Sequence, residues 1–405
     1  MSNFFNAIGV ADMEKVHSAM IAWILDDKND STMPGANTGS SFSTFDLTTR
    51  SHLLCDIFGE QKRVFNSIET FVEWNDIDIL ILTEDQNNVK ECWVIENKLK
   101  SQEHESKSKY NNKVIMWQTE KYEEVIANEL PTILNRHYLL LSLTGEQAKS
   151  RSKLWKSGTY EDLCNILSGS LIFASPIINP IIKEYYIAIK KLCDVLNDFL
   201  VNYLNYPIAI SSKTKNANKS QVLSTSTNPN EKYVIENSLE TIFQKSLLIK
   251  QMGNYTKNSS NPCYDCNYKT SASSDGTATL VVFLDDFTDT TTKEIYHVQI
   301  EFQNGSFKVQ IHQIENDGTM GSKGTFLAKW EKVFDEIAKN NTNWKKNLPK
   351  PNSKRPFISI STINNNWYND IQGSWNSGFG ECVDILKKLK KEFETQHSTK
   401  LVPFP

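Results

Sequence analysis

Alternation of apolar and polar positions is clearest between residues 64 and 98, where strands are predicted over 64–73, 76–83 and 90–98. In the second strand Ile77, Ile79 and Ile81 share one face, and Asp78, Leu80 and Leu82 share the other. A strand apolar on both sides belongs in the middle of a sheet with helices on both faces. Helical periodicity comes before it over 10–27 and 43–58, the second helix stopping at Gly59. Between those helices runs a Gly-, Ser- and Thr-rich loop to about residue 41, with Gly35 and Gly39. Further on, the pattern predicts a long helix over 103–127 and an apolar strand over 136–143. A helix crossing between two strands of one sheet is the expected right-handed connection. A short strand at Trp155 and helices over 160–167 and 181–204 close an α/β domain, a mixed sheet flanked by helices, over residues 1–210.

From 211 to 230 the chain is Ser, Thr, Asn and Lys with few large apolar residues, which predicts a linker or long surface loop. A helix over 231–251 then leads to strands over 278–285, 293–303 and 305–313, the last two joined by the hairpin signal Asn304-Gly305. Helices over 325–340 and 378–395 flank a strand over 356–362. Residues 231–405 are expected to form a separate α+β domain with an antiparallel sheet, serving recognition, oligomerisation or regulation. No sequence repeat is visible.

At 405 residues, 39% hydrophobic and with a formal charge of −4, the chain has the balance of a soluble protein of two or three domains. It carries no charged-then-apolar leader and no run of about 18 apolar residues, so a cytoplasmic protein without membrane contact is expected. The seven cysteines are irregularly spaced, and Cys263/Cys266 is the only close pair. A structural zinc needs a second pair or two histidines nearby, which the flanking sequence lacks, so reduced thiols are expected. Lysines gather at two places, Lys98, Lys100, Lys107, Lys109 and Lys113, and then Lys345, Lys346, Lys350, Lys354 with Arg355. The first four after Lys98 are candidates for holding a phosphate backbone, while the second cluster reads equally well as a solvated loop.

The candidate chemistry lies at strand ends. Glu96 and Lys98 are two residues apart and share a face of the third strand, and Asp78 stands on the strand before it. Burying two acids and a lysine costs several kcal/mol unless they pair or hold a metal. Mg²⁺ takes one or two carboxylates from a protein and keeps several waters, a count that Asp78 and Glu96 fit, with Mn²⁺ as a substitute. Lys98 is then placed to orient a nucleophile or stabilise the transition state of phosphodiester cleavage. Asp76 lies two residues before Asp78 and is the alternative ligand; Asp78 is favoured because it sits inside the apolar strand.

Asp78 followed by Glu96-x-Lys98 across a short hairpin resembles the PD-(D/E)XK nuclease superfamily, in wording close to its bacterial branches: Ile77-Asp78-Ile79, then Ile95-Glu96-Asn97-Lys98. Gln118 and Tyr122 match the Gln-x-x-x-Tyr element found after the lysine, and Glu14 matches the acidic residue before the core that completes the metal site. The stretch from Glu14 to Leu25 with the Gly35 and Gly39 loop is similar to the opening of these proteins. No proline precedes Asp78, a departure from the pattern. The resemblance covers roughly the first two hundred residues. It implies a restriction-endonuclease-like core and a Mg²⁺-dependent nuclease, a DNA endonuclease of bacterial restriction or anti-phage defence, with a homo-oligomer or a defence-system protein as partner.

Blander readings stand beside these. Glu96 and Lys98 can be a salt bridge at a sheet edge, Gln118 and Tyr122 packing at i and i+4, and Glu14 a helix-dipole acid with His17 on its face. The competing class is an inactive nuclease-fold module acting in nucleic-acid binding or assembly. In the second domain, His297, Gln299 and Glu301 with Gln310 and His312 read as a solvated polar sheet face, and Trp367, Tyr368 and Trp375 with 364–366 as an aromatic loop able to stack on bases.

Overall fold

The structure, a computed structural model, describes residues 13–27, 45–100, 103–111, 114–148, 150, 152–174, 179–211, 225–272, 277–314, 323–339, 344–347, 357–360 and 367–403. Two compact units divide the chain, Met1–Asp198 and Phe199–Pro405. The Gly35 and Gly39 loop and most of the expected 211–230 linker lie outside the described residues. At the far end of that stretch Asn228 accepts the Asn230 N–H at 2.9 Å and caps a helix opening at Pro229.

The N-terminal unit is built on a five-stranded sheet, ordered β1 (Phe65–Trp74), β2 (Ile77–Asp85), β3 (Lys90–Lys98), β6 (Asn135–Ser142) and β7 (Trp155–Thr159). The first two pairings are antiparallel, and β3 with β6 and β6 with β7 are parallel. Asn75 and Asp76, with φ of 52° and 69°, join β1 to β2 in a two-residue turn between paired Trp74 and Ile77. Left-handed φ at both positions matches the twist of the flanking strands. Helices α1 (Glu14–Leu25) and α2 (Leu47–Phe58) pack on one face, where Phe58 meets Trp93 edge to face. Helix α2 is capped by Asp46, which accepts the Thr49 N–H at 2.6 Å, and ends at Gly59 with φ 60°.

Leu80, Cys92, Val94 and Leu140 point to the other face, into a core closed by Tyr122, Val125 and Ile126 of α3 (Gln118–Glu129). Residues 103–127 are therefore not one helix. Strands β4 (Glu105–Lys107) and β5 (Ile115–Trp117) form a small antiparallel pair, and α3 begins only at Gln118. Two acids set that start: buried Glu103 accepts the Thr119 N–H at 3.1 Å and Glu120 accepts the Trp117 N–H at 2.9 Å. Helices α4 (Tyr160–Ser170) and α5 (Asn179–Asn202) follow β7, and the division between units falls within α5.

The C-terminal unit carries a short helix α6 (Pro207–Ser211), then α7 (Pro229–Glu236) and α8 (Glu240–Tyr255). The single helix expected over 231–251 is broken at Ser238, whose φ is 52°. An antiparallel sheet of eight strands follows. Its path runs β13 (Trp344–Asn347), β14 (Phe357–Ile360), β12 (Ser306–Ile314), β11 (Ile295–Gln303), β10 (Phe287–Asp289) and β15 (Leu401–Pro403). Strands β8 (Tyr268–Ala272) and β9 (Ala278–Phe283) join it through β11. The Asn304-Gly305 turn pairs Gln303 with Ser306 as the sequence predicts. Helix α9 spans Lys323–Lys339.

Two expectations for this unit are corrected. Helix α10 runs Ile371–His397, seven residues earlier than 378, and Trp367 and Trp375 are buried at 5% and 0% exposure rather than displayed on a loop. They pack edge to face on Phe302, so stacking on bases is not open to them. Residues 364–366 lie outside the described residues. The polar face of β11 is likewise not solvated: Gln299 and Gln310 are buried, Gln299 Nε2 donates to Gln310 Oε1 at 2.6 Å, and Gln310 donates to Glu301 at 2.9 Å. Side chains of Lys345, Lys346 and His312, and all of Lys350, Lys354 and Arg355, lie outside the described residues.

Packing here is tight enough to discriminate between glycines of one helix. A Cβ at Gly378 would stand 2.1 Å from Cε2 of Phe307, a buried ring held between Phe302 and Phe379, whereas one at Gly380 meets only Pro262 at 3.8 Å. Gly378→Ala should destabilise the C-terminal unit by about 1–3 kcal/mol. Gly380→Ala should be neutral or stabilising, by up to about 1 kcal/mol from helix propensity. Thermal unfolding of both variants checks this, and equal melting temperatures would contradict the packing argument.

Candidate active site

Pairing of Ile79 with Ile95 sets Asp78 beside Glu96, on the face that α3 covers. Glu96 is fully buried and Lys98 is 8% exposed, and the Lys98 ammonium lies 2.5 Å from Glu96 Oε1. The pair is thus a salt bridge, but within the central strand of the sheet and not at an edge. The Asp78 and Glu96 carboxyl groups are in hydrogen-bonding contact. Two carboxylates that close disfavour each other's ionisation. Burial first, and then the neighbouring Asp78 charge, push the Glu96 carboxyl well above its usual range; burial raises Asp78 as well. Burial alone would lower the Lys98 ammonium, but the acids around it, Glu96 foremost, outweigh that and hold it charged.

Asp78 is further fixed by the Asn97 backbone, whose N–H donates to Oδ2 at 2.8 Å. Asp76 is elsewhere. It sits in the β1–β2 turn with its side chain largely exposed and paired to Lys121 at 2.8 Å.

Helix α3 delivers its first turn to the same place. Gln118 Nε2 donates to Tyr122 Oη at 2.5 Å, and that hydroxyl donates to the Asp76 carbonyl at 2.6 Å. The phenol also lies against Glu96; burial and then the Glu96 charge drive its pKa upward. Glu14, at the start of α1, accepts the Lys100 N–H at 2.7 Å and is close enough for its charge to act on Asp78 and Lys98.

The outlying lysines are less gathered. Lys107 and Lys109 are exposed around β4, with Lys109 held by Glu129 at 2.7 Å and Asn75 at 3.0 Å. Lys100 is half-buried, and Lys113 lies outside the described residues.

One residue that the sequence reading passed over joins these parts. Asn97 points to the opposite face from Glu96 and Lys98, where it is fully buried. Its Nδ2 donates to the Glu14 carbonyl and to Ser18 Oγ, both at 3.0 Å, and its Oδ1 accepts the Tyr160 hydroxyl at 2.7 Å. His17 continues the network, Nδ1 lying 3.2 Å from Tyr185 Oη. An amide midway between the acid and the lysine, in a strand buried on both sides, was the available signal.

The donor set suits a hard divalent cation. Among the described residues Glu96 Oε1 is met by the Lys98 ammonium, while Gln118 Oε1 is buried without accepting a hydrogen bond. Lone pairs left this way are costly unless something else uses them. Among the described residues no three His, Cys, Asp or Glu side chains are grouped as a metal site.

Comparison with known proteins agrees with this geometry. Residues 2–170 match the family model of the PD-(D/E)XK nuclease superfamily. Most of the N-terminal unit is thus similar to that superfamily. Neither the curated proteins nor the solved structures contain a match to the chain. The PD-(D/E)XK match ends with α4 and covers none of the C-terminal unit. Nucleases of this superfamily act on nucleic acid and generally use divalent metal ions. Among the described residues no helix is long and apolar enough to cross a membrane.

Proposed function

We propose that the chain is a Mg²⁺-dependent nuclease that hydrolyses phosphodiester bonds in DNA as an endonuclease. One observation carries this reading: two acids and a lysine converge at the buried end of the central strand, with the Lys98 ammonium 2.5 Å from Glu96 Oε1 and the Asp78 carboxyl in contact with Glu96. Asp78 and Glu96 would hold the ion, and Glu14 adds to the negative charge that would draw it. Bound there, Mg²⁺ supplies an acidified water and neutralises charge growing on the scissile phosphate. Lys98 keeps its ammonium beside that charge. Tyr122 and Gln118 line the same wall and orient phosphate and water. Lys100, Lys107, Lys109 and Lys113 form the flank along which the backbone runs. Mn²⁺, similarly oxygen-seeking, substitutes.

A restriction or anti-phage setting rests on the family resemblance alone. Cutting both strands with one site per chain calls for a two-fold assembly. In that reading the C-terminal unit supplies target recognition, oligomerisation or control, with a second defence protein as a candidate partner.

Plasmid, linear duplex, single-stranded DNA and RNA incubated with Mg²⁺ or with EDTA test the activity. Asp78→Asn and Glu96→Gln should each weaken Mg²⁺ binding sharply in calorimetry, while Asp76→Asn should leave it unchanged. Loss of binding in Asp76→Asn with Asp78→Asn intact would reverse the assignment.

A further inference from the structure

The C-terminal unit holds a second reactive cluster, independent of the nuclease reading. Residues 261–266 form a tight turn in which the Cys266 N–H donates to the Cys263 carbonyl at 3.4 Å and the Tyr264 N–H to the Asn261 carbonyl at 3.1 Å. Asp265, at φ 58°, turns the chain back, and its N–H donates to the Thr256 carbonyl at 3.1 Å, tying the turn to the end of α8. This backbone brings the two thiols into hydrogen-bonding contact. They differ in access: Cys263 is fully buried, while Cys266 is half-buried and lines a cleft of about 660 Å³. Phe283, Phe287 and Leu386 give that cleft apolar walls, and Lys387 and Lys390 of α10 bring cationic heads to it.

We propose that Cys263 and Cys266 are a dithiol that a low-molecular-weight disulfide oxidises reversibly to an intramolecular disulfide, with Cys266 the thiol that reacts first. The Cys266 thiolate attacks one sulfur of the small disulfide, breaking its S–S bond, forming a mixed disulfide and releasing one thiolate. Cys263 then loses its proton and attacks Cys266 Sγ, forming the protein disulfide and releasing the second thiolate. The protein gives up two electrons and two protons, and one disulfide becomes two thiols. The hydrogen bond from Cys263 favours the Cys266 thiolate and holds that thiol below its usual range, against burial and the opposing charges of Asp285 and Asp265. The same contact and burial push Cys263 up, so the roles do not exchange. Cys55, Cys92 and Cys382 are buried and serve as internal controls, while buried Cys164 and Cys193 touch each other and make a dithiol without an accessible member.

The full-length protein incubated with oxidised glutathione, alkylated and digested gives a direct readout by mass spectrometry. Both Cys263 and Cys266 should be lost to alkylation together, the peptide should carry their disulfide, and dithiothreitol should restore both. Cys263→Ser should accumulate a glutathione adduct on Cys266, whereas Cys266→Ser should leave Cys263 unmodified. The wild-type measurement needs no variant to fold. Thiols equally alkylated before and after oxidised glutathione, or an adduct on Cys263 in Cys266→Ser, would overturn the proposal.

Discussion

Lys98→Met should lower phosphodiester cleavage by about 10²–10³-fold at saturating Mg²⁺, the loss typical of one preorganised charge aimed at the transition state. Methionine keeps most of the buried stem and removes only the ammonium, which stands 2.5 Å from Glu96 and is 8% exposed. Breaking a buried ion pair usually leaves an orphaned charge. Here burial and the Asp78 charge already push the partner's pKa up, so Glu96 can go neutral and the fold should survive. Mg²⁺ binding by calorimetry should persist, because both carboxyls remain. Plasmid nicking near the wild-type rate would remove Lys98 from the mechanism, and loss of metal binding would mean that the ammonium organises the acids.

Asn97→Ala should be among the most destabilising single changes in the N-terminal unit although it touches neither metal nor phosphate. It takes the amide partner from the buried Tyr160 hydroxyl, while Ser18 Oγ and the Glu14 carbonyl keep their bond to each other at 3.1 Å. The cost of one buried unsatisfied group is about 1–3 kcal/mol. For a unit of roughly this size that lowers the melting temperature by about 2–12 °C. Asn97→Asp should be worse, since it also buries a charge without a partner. Calorimetric melting decides it: an Asn97→Ala transition within a degree of wild type would show that water replaces these bonds.

The sheet of the N-terminal unit was legible because its strands carry their own signals: two-sided apolar runs in β2 and β3, and Gly59 closing the helix before them. The clustering of Asp78, Glu96 and Lys98 was legible for the same reason, since three charges in such runs stand out. Helix α3 was misplaced because the stretch from 103 to 113 is almost all polar and carries no period; Glu103 and Glu120 set its start through contacts, not composition. In the C-terminal unit the signal was present but overridden. Trp367, Ile371, Trp375, Phe379 and Cys382 recur at helical spacing and are all buried, yet Gly373, Gly378 and Gly380 punctuate the stretch like a loop. Gly378 is there because Phe307 leaves no room for a larger side chain. Asn97 escaped notice since an amide between two charged residues reads as one more polar position until the second face of the strand is known to be covered.

Strand β3 is hydrogen-bonded along its length, to β2 through Glu91–Ile95 and to β6 through Glu91–Lys98. Backbone bonds of this kind, buried under helices on both faces, open to solvent only when the surrounding unit unfolds. The groups that would do chemistry are therefore carried on the slowest-exchanging part of the chain. Any breathing needed to admit a nucleic-acid strand or release a cut end has to come from the rim, from the β4–β5 pair and the turn at Asn75-Asp76, while Glu96 and Lys98 stay still.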